Sequence, residues 1–136
     1  MFSVIFPGQG SQTVGMGKDL HSKHDIIKKL FKEADDILGF SISNVILEGP
    51  KEKLDLTENT QPAIFLLGYS IFNLLKKENF VDLNKAKFFA GHSLGEYTSL
   101  ACAGSLSFSE TLKILKIRGN AMQNSVSKGK VGQVVV

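Results

Sequence analysis

Two short apolar runs that end at or beside a glycine predict β-strands. The first is FSVIF (residues 2–6), which stops at Pro7-Gly8, and the second is AKFFA (86–90), which runs into Gly91. The first is expected to be a buried strand, and the second is expected to be buried on both faces because it shows no regular polar alternation. Strands of this kind are typical of a parallel sheet.

Two longer segments predict helices. Residues 24–38 carry apolar side chains at helical spacing with charged ones opposite, and Gly39 is expected to end this helix. The second helix is expected to be capped by Asn59 or Thr60 and to carry Pro62 in its first turn. Its sequence is apolar almost all round, which is typical of a buried helix.

The order of these elements predicts the α/β class. No repeat, linker or low-complexity tract interrupts the sequence, so residues 1–136 are expected to form a single folding unit. Hydrophobic residues make up 43% of the chain and charged residues 21%, which is usual for a globular domain.

Charge and hydropathy argue against nucleic acids and membranes as partners. The formal charge is only +3, and the lysines are spread out rather than clustered. The longest apolar stretch (63–75) is too short to span a bilayer. The single cysteine, Cys102, cannot form an intrachain disulfide, and the N-terminus lacks the basic start of a signal peptide. We therefore expect a cytoplasmic protein.

The break after the second apolar run is a G-x-S-x-G motif, Gly91-His92-Ser93-Leu94-Gly95, and an apolar helical segment follows it. Strand, sharp turn and helix around such a serine are the parts of a nucleophile elbow. The turn is expected to hold the serine at φ > 0. Side chains two residues before and after it would collide, so both positions require glycine. The helix N-terminus would then direct free N–H groups at an oxyanion. The alternative is a plain turn with a capping serine.

No histidine in the sequence is well placed as the general base for Ser93. His92 is its immediate neighbour on a tight turn, so the two side chains are expected to diverge. A base normally arrives from elsewhere in the fold. His21 and His24 lie in a polar, lysine-rich stretch and are expected to be surface residues.

A glycine-rich loop, FPGQGSQTVGMG, follows the first strand. Its glycines, Gly8 and Gly10 among them, let the backbone approach a ligand closely, and an elbow serine needs a second oxyanion donor from such a loop. The spacing fits neither G-x-G-x-x-G nor a P-loop. The alternative is a flexible loop without a ligand.

Arg118 is the only arginine among 16 basic residues. It lies on a helix that begins with a capping box, Ser107 to Glu110, and the helical projection places it within the apolar arc. An inward guanidinium requires an anion, and arginine in place of lysine suggests bidentate binding of a carboxylate or phosphate. The alternatives are an internal ion pair with Glu96 or Asp35, or a side chain that reaches solvent.

Four segments in this order and spacing, FPGQGSQ, TQPAIF, GHSLGEY and RGNAMQ, resemble malonyl-CoA:acyl carrier protein transacylases and the wider acyltransferase domains of fatty-acid and polyketide synthases. The resemblance implies that Ser93 is the nucleophile and that the backbone N–H groups of Gln9 and Leu94 form the oxyanion hole. It implies that Arg118 pairs with the free malonyl carboxylate and that Gln61 lies near the site.

The resemblance also implies an α/β-hydrolase-like parallel-sheet core with an inserted ferredoxin-like subdomain. It implies malonyl-CoA as substrate, acyl carrier protein as partner, and neither cofactor nor metal. Family members are more than twice as long, so the inserted subdomain and the catalytic histidine are expected beyond residue 136. The competing functions are a serine esterase and a fragment without activity. The apolar helix (62–75) and the terminal valines predict self-association.

Overall fold

A computed structural model describes residues 1–125 of the chain. The terminal valines, which are expected to contribute to self-association, lie outside the described residues. No helix of the described part is both long and apolar enough to cross a membrane. In chain order the elements are β1 (Phe2–Phe6), α1 (Lys18–Lys23), α2 (Asp25–Leu38), α3 (Ile42–Leu47), α4 (Lys51–Leu54), α5 (Thr57–Glu78), a 3-10 turn (Leu83–Lys85), β2 (Ala86–Gly91), α6 (Leu94–Cys102) and α7 (Phe108–Asn124).

The two strands pair in parallel, with Phe6 opposite Gly91 at the end of the sheet. A long crossover through five helices joins them, as parallel pairing requires. The predicted α/β class and the parallel sheet are thus confirmed for the described residues. Because both strands end at the same edge, the glycine loop after β1 and the serine motif after β2 are neighbours.

Within residues 1–125 the sheet is covered on one face only, so the prediction that both runs are buried is wrong for this part of the chain. Phe6 and Phe89 pack edge-on against Phe72 of α5, with ring centroids 6.3 and 5.8 Å apart. On the opposite face the side chains of Ile5 and Phe88 are 75% and 66% exposed. Apolar runs predict that a strand is suited to burial, but burial itself depends on the layers packed against it.

Helix α5 is the centre of the hydrophobic core. Its Phe65 is fully buried in one cluster with Phe31 of α2, Leu94 of α6 and Leu112 of α7. The predicted buried helix is confirmed, as are the amphipathic α2 and its end at Gly39, which has φ 73°.

The start of α5 differs from the prediction. The helix begins at Thr57, so Asn59 and Thr60 lie inside its first turn and Pro62 lies in the second. Thr60 Oγ1 donates to the carbonyl oxygen of Leu54, and Asn59 Nδ2 donates to another α4 carbonyl. These side chains therefore bind the preceding helix instead of capping their own.

Candidate active site

Ser93 lies at the tip of the turn between β2 and α6. Its backbone has φ 54° and ψ −115°, a conformation that costs an ordinary residue on the order of 1–3 kcal/mol. Hydrogen bonds from Gly95 N–H to His92 O and from Glu96 N–H to Ser93 O close the turn. The expected strained elbow is confirmed, and the serine side chain is exposed at its tip.

The two flanking glycines are required because the turn brings Gly91 against Gly95 and presses Gly95 against the end of β1. A Cβ on Gly91 would overlap the Gly95 carbonyl, and a Cβ on Gly95 would lie 2.5 Å from Phe6 O and 2.7 Å from Pro7 O. These neighbours are backbone atoms, which cannot rotate away. The spacing G-x-S-x-G therefore reflects both the tightness of the turn and the close approach of its second glycine to β1.

We expect Gly95→Ala to destabilise the fold by about 2 kcal/mol or more, because the added methyl group collides with the β1 backbone. Urea unfolding followed by circular dichroism measures the change. Gly68→Ala is the matched control, since its Cβ would meet Thr98 at an ordinary 3.4 Å inside a helix. Equal stabilities of the two variants would contradict the close approach.

The glycine loop packs directly on this elbow. A Cβ on Gly8 would lie 2.8 Å from His92 O, so only glycine permits the contact. Gly10 has φ 108°, and its N–H donates to Gln12 Oε1 at 2.8 Å. Ser11 Oγ donates to Gly8 O at 2.9 Å. The loop is thus held by its own hydrogen bonds next to the serine.

Gln9 and Leu94, the residues expected to supply oxyanion donors, lie on the two segments that meet at this point. Leu94 is the first residue of α6, where backbone N–H groups have no partner within the helix. The Gln9 side chain donates to Thr57 Oγ1 at 3.2 Å, and Thr57 N–H donates to Gln123 Oε1 of α7 at 2.9 Å. The loop is therefore anchored to the start of α5, which is itself hydrogen-bonded to the end of α7.

Arg118 is half-buried at the edge of the packed face of α7, so its predicted place within a buried apolar arc is only partly correct. Ile114 and Ile117 of that arc are exposed. The contact with α5 is centred on Gly119 instead, where a Cβ would lie 2.6 Å from Thr57 O. The glycine allows a close helix approach, which turns α7 relative to the arc that hydropathy alone predicts.

The Arg118 guanidinium nevertheless reaches the serine. Its Nη2 donates to Ser93 Oγ at 3.2 Å, and its Nη1 donates to Gln61 Oε1 at 2.8 Å. The guanidinium carbon lies 5.6 Å from the centroid of the Tyr97 ring, within the range of a cation–π contact.

No carboxylate within residues 1–125 forms an ion pair with Arg118. Asp35, one of the two partners considered from the sequence, accepts hydrogen bonds from Ser41 and Ser43 instead. The guanidinium therefore carries a positive charge beside the nucleophile that the described residues do not neutralise.

The histidines do not complete a catalytic pair within the part of the chain that the structure describes. Ser93 Oγ is hydrogen-bonded by Arg118 and by no histidine there. His92 is exposed beside Gly8. His24 and His21 are half-buried rather than surface residues, and the His21 ring lies 5.1 Å from that of Phe31.

Cys102 is not a competing nucleophile. Burial raises the pKa of its thiol to about 12, so it is protonated at neutral pH, and the thiolate is the reactive form.

Tyr97 and Met122 were not among the predicted site residues, although both lie close in sequence to a predicted one. Tyr97 lies in the first turn of α6, which starts directly after Ser93, and Met122 lies four residues after Arg118 on α7. Residues at this spacing share a helix face. Thr57 had no such signal, because its contact with Gln9 spans 48 residues.

Solved and curated proteins resemble the chain over nearly its whole length. The malonyl CoA-acyl carrier protein transacylase of Haemophilus influenzae is 44% identical over 128 residues, which are 94% of this chain and 40% of that protein. An acyl-carrier-protein-S-malonyltransferase from Bartonella henselae superposes with a TM-score of 0.88 at 43% identity, over 92% of this chain and 40% of the other.

A third match comes from a type II PKS acyl-carrier protein in complex with its malonyl-transacylase. Its TM-score is 0.88 at 37% identity, over 94% of this chain and 40% of the matched chain. The chain thus spans about 40% of the length of these relatives. The resemblance expected from the four segments is confirmed. Residues 3–135 match the model of the acyl transferase domain, and the chain belongs to that family.

Proposed function

We propose that the chain provides the nucleophile and the carboxylate-binding residue of an acyltransferase that moves malonyl from coenzyme A to acyl carrier protein. The observation that carries this proposal is the placement of Arg118 within hydrogen-bond distance of Ser93, with no carboxylate of the described residues paired to it. A malonyl thioester has a free carboxylate a short distance from its reacting carbonyl. The Arg118 guanidinium is suited to bind the carboxylate, and the Ser93 hydroxyl is suited to attack the carbonyl.

The proposed reaction proceeds in two acyl transfers. Ser93 Oγ attacks the thioester carbonyl, its proton passes to a base, and the bond to sulfur breaks to release coenzyme A. The oxyanion formed on the way is stabilised by the N–H groups of Gln9 and Leu94. The thiol of acyl carrier protein then attacks the malonyl-serine ester and regenerates the hydroxyl. This chemistry needs neither a metal nor a redox cofactor.

We also propose the architecture that the sequence predicts for the whole protein. Residues 1–136 form a single domain, the first part of an α/β-hydrolase-like core, and the ferredoxin-like subdomain and the catalytic histidine belong to the remaining length found in the relatives. The strand, elbow and helix order of the described residues supports this assignment. A protein of fatty-acid synthesis with this composition is proposed to be cytoplasmic.

The proposed function is tested by comparing two ligands that differ in one carboxylate. We expect the chain to bind malonyl-CoA at least about tenfold more tightly than acetyl-CoA in isothermal titration calorimetry, because only malonyl offers Arg118 an anion. Equal affinities would remove the basis for a malonyl transferase. They would favour a serine esterase, which shares the elbow but has no use for the arginine.

We further propose that the isolated chain self-associates, but not through the apolar helix expected to drive it, because residues 62–75 lie largely in the hydrophobic core. The uncovered face of the sheet is the surface proposed instead. Ile5 and Phe88 lie on this face in diagonal positions of the two paired strands, and both are largely exposed. We expect light scattering to show a mass that rises with concentration and that Phe88→Ser lowers. Phe80→Ser is the control, because Phe80 is also exposed but lies off the sheet. A monomer at every concentration would refute the proposal.

A further inference from the structure

Gln61 is a polar residue with no exposed surface. It lies on the core helix α5 and is fully buried, next to buried Pro62 and Ala63. A buried amide is costly unless both of its ends are hydrogen-bonded. Its partners therefore indicate why the site has glutamine there.

The two ends of this amide have partners of opposite kinds. Oε1 accepts from Arg118 Nη1 at 2.8 Å, and Nε2 donates to the Met122 sulfur at 3.2 Å. A guanidinium can only donate and a thioether can only accept, so chemistry permits one orientation of the amide. Because Arg118 and Met122 are one turn apart on α7, Gln61 is hydrogen-bonded to both ends of the same helical turn.

We propose that Gln61 is the positioning residue that fixes the Arg118 guanidinium beside Ser93 while leaving its charge available to a substrate carboxylate. This inference rests on the proposed function. This role requires an uncharged hydrogen-bond partner, since a carboxylate at this position would pair with Arg118 and compete with the substrate. The amide supplies one strong, charge-assisted hydrogen bond without neutralising the cation.

The remaining contacts of Arg118 are compatible with this role. The guanidinium has five N–H donors, and the described residues use two of them, on Gln61 and Ser93. The Tyr97 ring lies 5.6 Å away and limits lateral movement. Three donors remain for a ligand. The specificity of the site thus depends on a residue that does not itself need to touch the substrate.

The test substitutes Gln61→Glu, which keeps the size of the side chain and adds a negative charge. Isothermal titration calorimetry of the 136-residue chain with malonyl-CoA and with acetyl-CoA measures the effect. We expect malonyl-CoA to bind about tenfold more weakly or worse, while acetyl-CoA changes less than about twofold. Asn73→Asp is the matched control, an amide-to-acid change on the same helix at a residue hydrogen-bonded to Tyr69 O.

A structural role alone would weaken both ligands together, so the malonyl-to-acetyl ratio is the decisive quantity. A wild-type chain with no malonyl preference would refute the proposed function. A wild-type preference that Gln61→Glu leaves unchanged would overturn this inference alone. If Gln61→Glu does not fold, Met122→Leu removes the acceptor for Nε2 at similar volume and is expected to lower the same ratio. A folded Met122→Leu variant with the wild-type ratio would then overturn it.

Discussion

The 136-residue chain, given malonyl-CoA and acyl carrier protein, is expected to transfer malonyl on the order of 10⁶-fold more slowly than a complete malonyl transacylase. A serine hydroxyl is protonated at neutral pH and needs a base within hydrogen-bond reach. Among residues 1–125, Ser93 Oγ is hydrogen-bonded by Arg118 and by no histidine. In subtilisin, removal of the histidine lowers kcat by roughly this factor.

A radiolabel transfer assay measures this prediction, with the full-length relative from Haemophilus influenzae as the positive control. Ser93→Ala sets the background, because it removes the nucleophile but keeps the arginine. The oxyanion donors and substrate binding can leave about 10³ to 10⁴ of acceleration over water, so a small signal above the Ser93→Ala background is compatible with a missing base. A rate close to that of the full-length relative would contradict it, and His92 would have to be the base.

Replacement of Arg118 is expected to have the second largest effect, on the binding of malonyl-CoA. Arg118→Lys keeps the positive charge but loses the planar fork that can bind a carboxylate at two points. Arg118→Ala removes the charge as well. We expect malonyl-CoA affinity to fall on the order of 30-fold or more in Arg118→Ala and by less in Arg118→Lys, while acetyl-CoA binding stays unchanged.

Calorimetry with both thioesters measures these losses, and Lys113→Ala is the control because it removes an exposed cation from the same helix. Arg118→Ala also leaves Gln61 Oε1 without a donor in the core, so a lower melting temperature is expected for this variant. The comparison between ligands separates the two effects. A parallel loss of malonyl-CoA and acetyl-CoA affinity would show that Arg118 supports the fold and does not select the carboxylate.

Local features of the site were predictable from the sequence because they depend on a few adjacent residues. The positive φ of Ser93 follows from a serine between two glycines at the junction of a strand and a helix. The capping box of α7 and the end of α2 at Gly39 follow from side-chain hydrogen bonding and from the left-handed conformation that glycine permits. The four segments that carry the family resemblance are also local.

Burial and long-range contact were decided by the tertiary structure. Ile5 and Phe88 have the hydropathy of buried strand residues, yet they are exposed because α5 covers only the opposite face of the sheet. The buried face of α7 includes Leu112 and Leu115 of the apolar arc, but the close approach at Gly119 leaves Ile114 and Ile117 exposed. The bonds from Arg118 to Gln61 and Ser93 span 57 and 25 residues. Hydropathy indicates whether a side chain is suited to burial, whereas the packing of distant helices determines which neighbours it contacts.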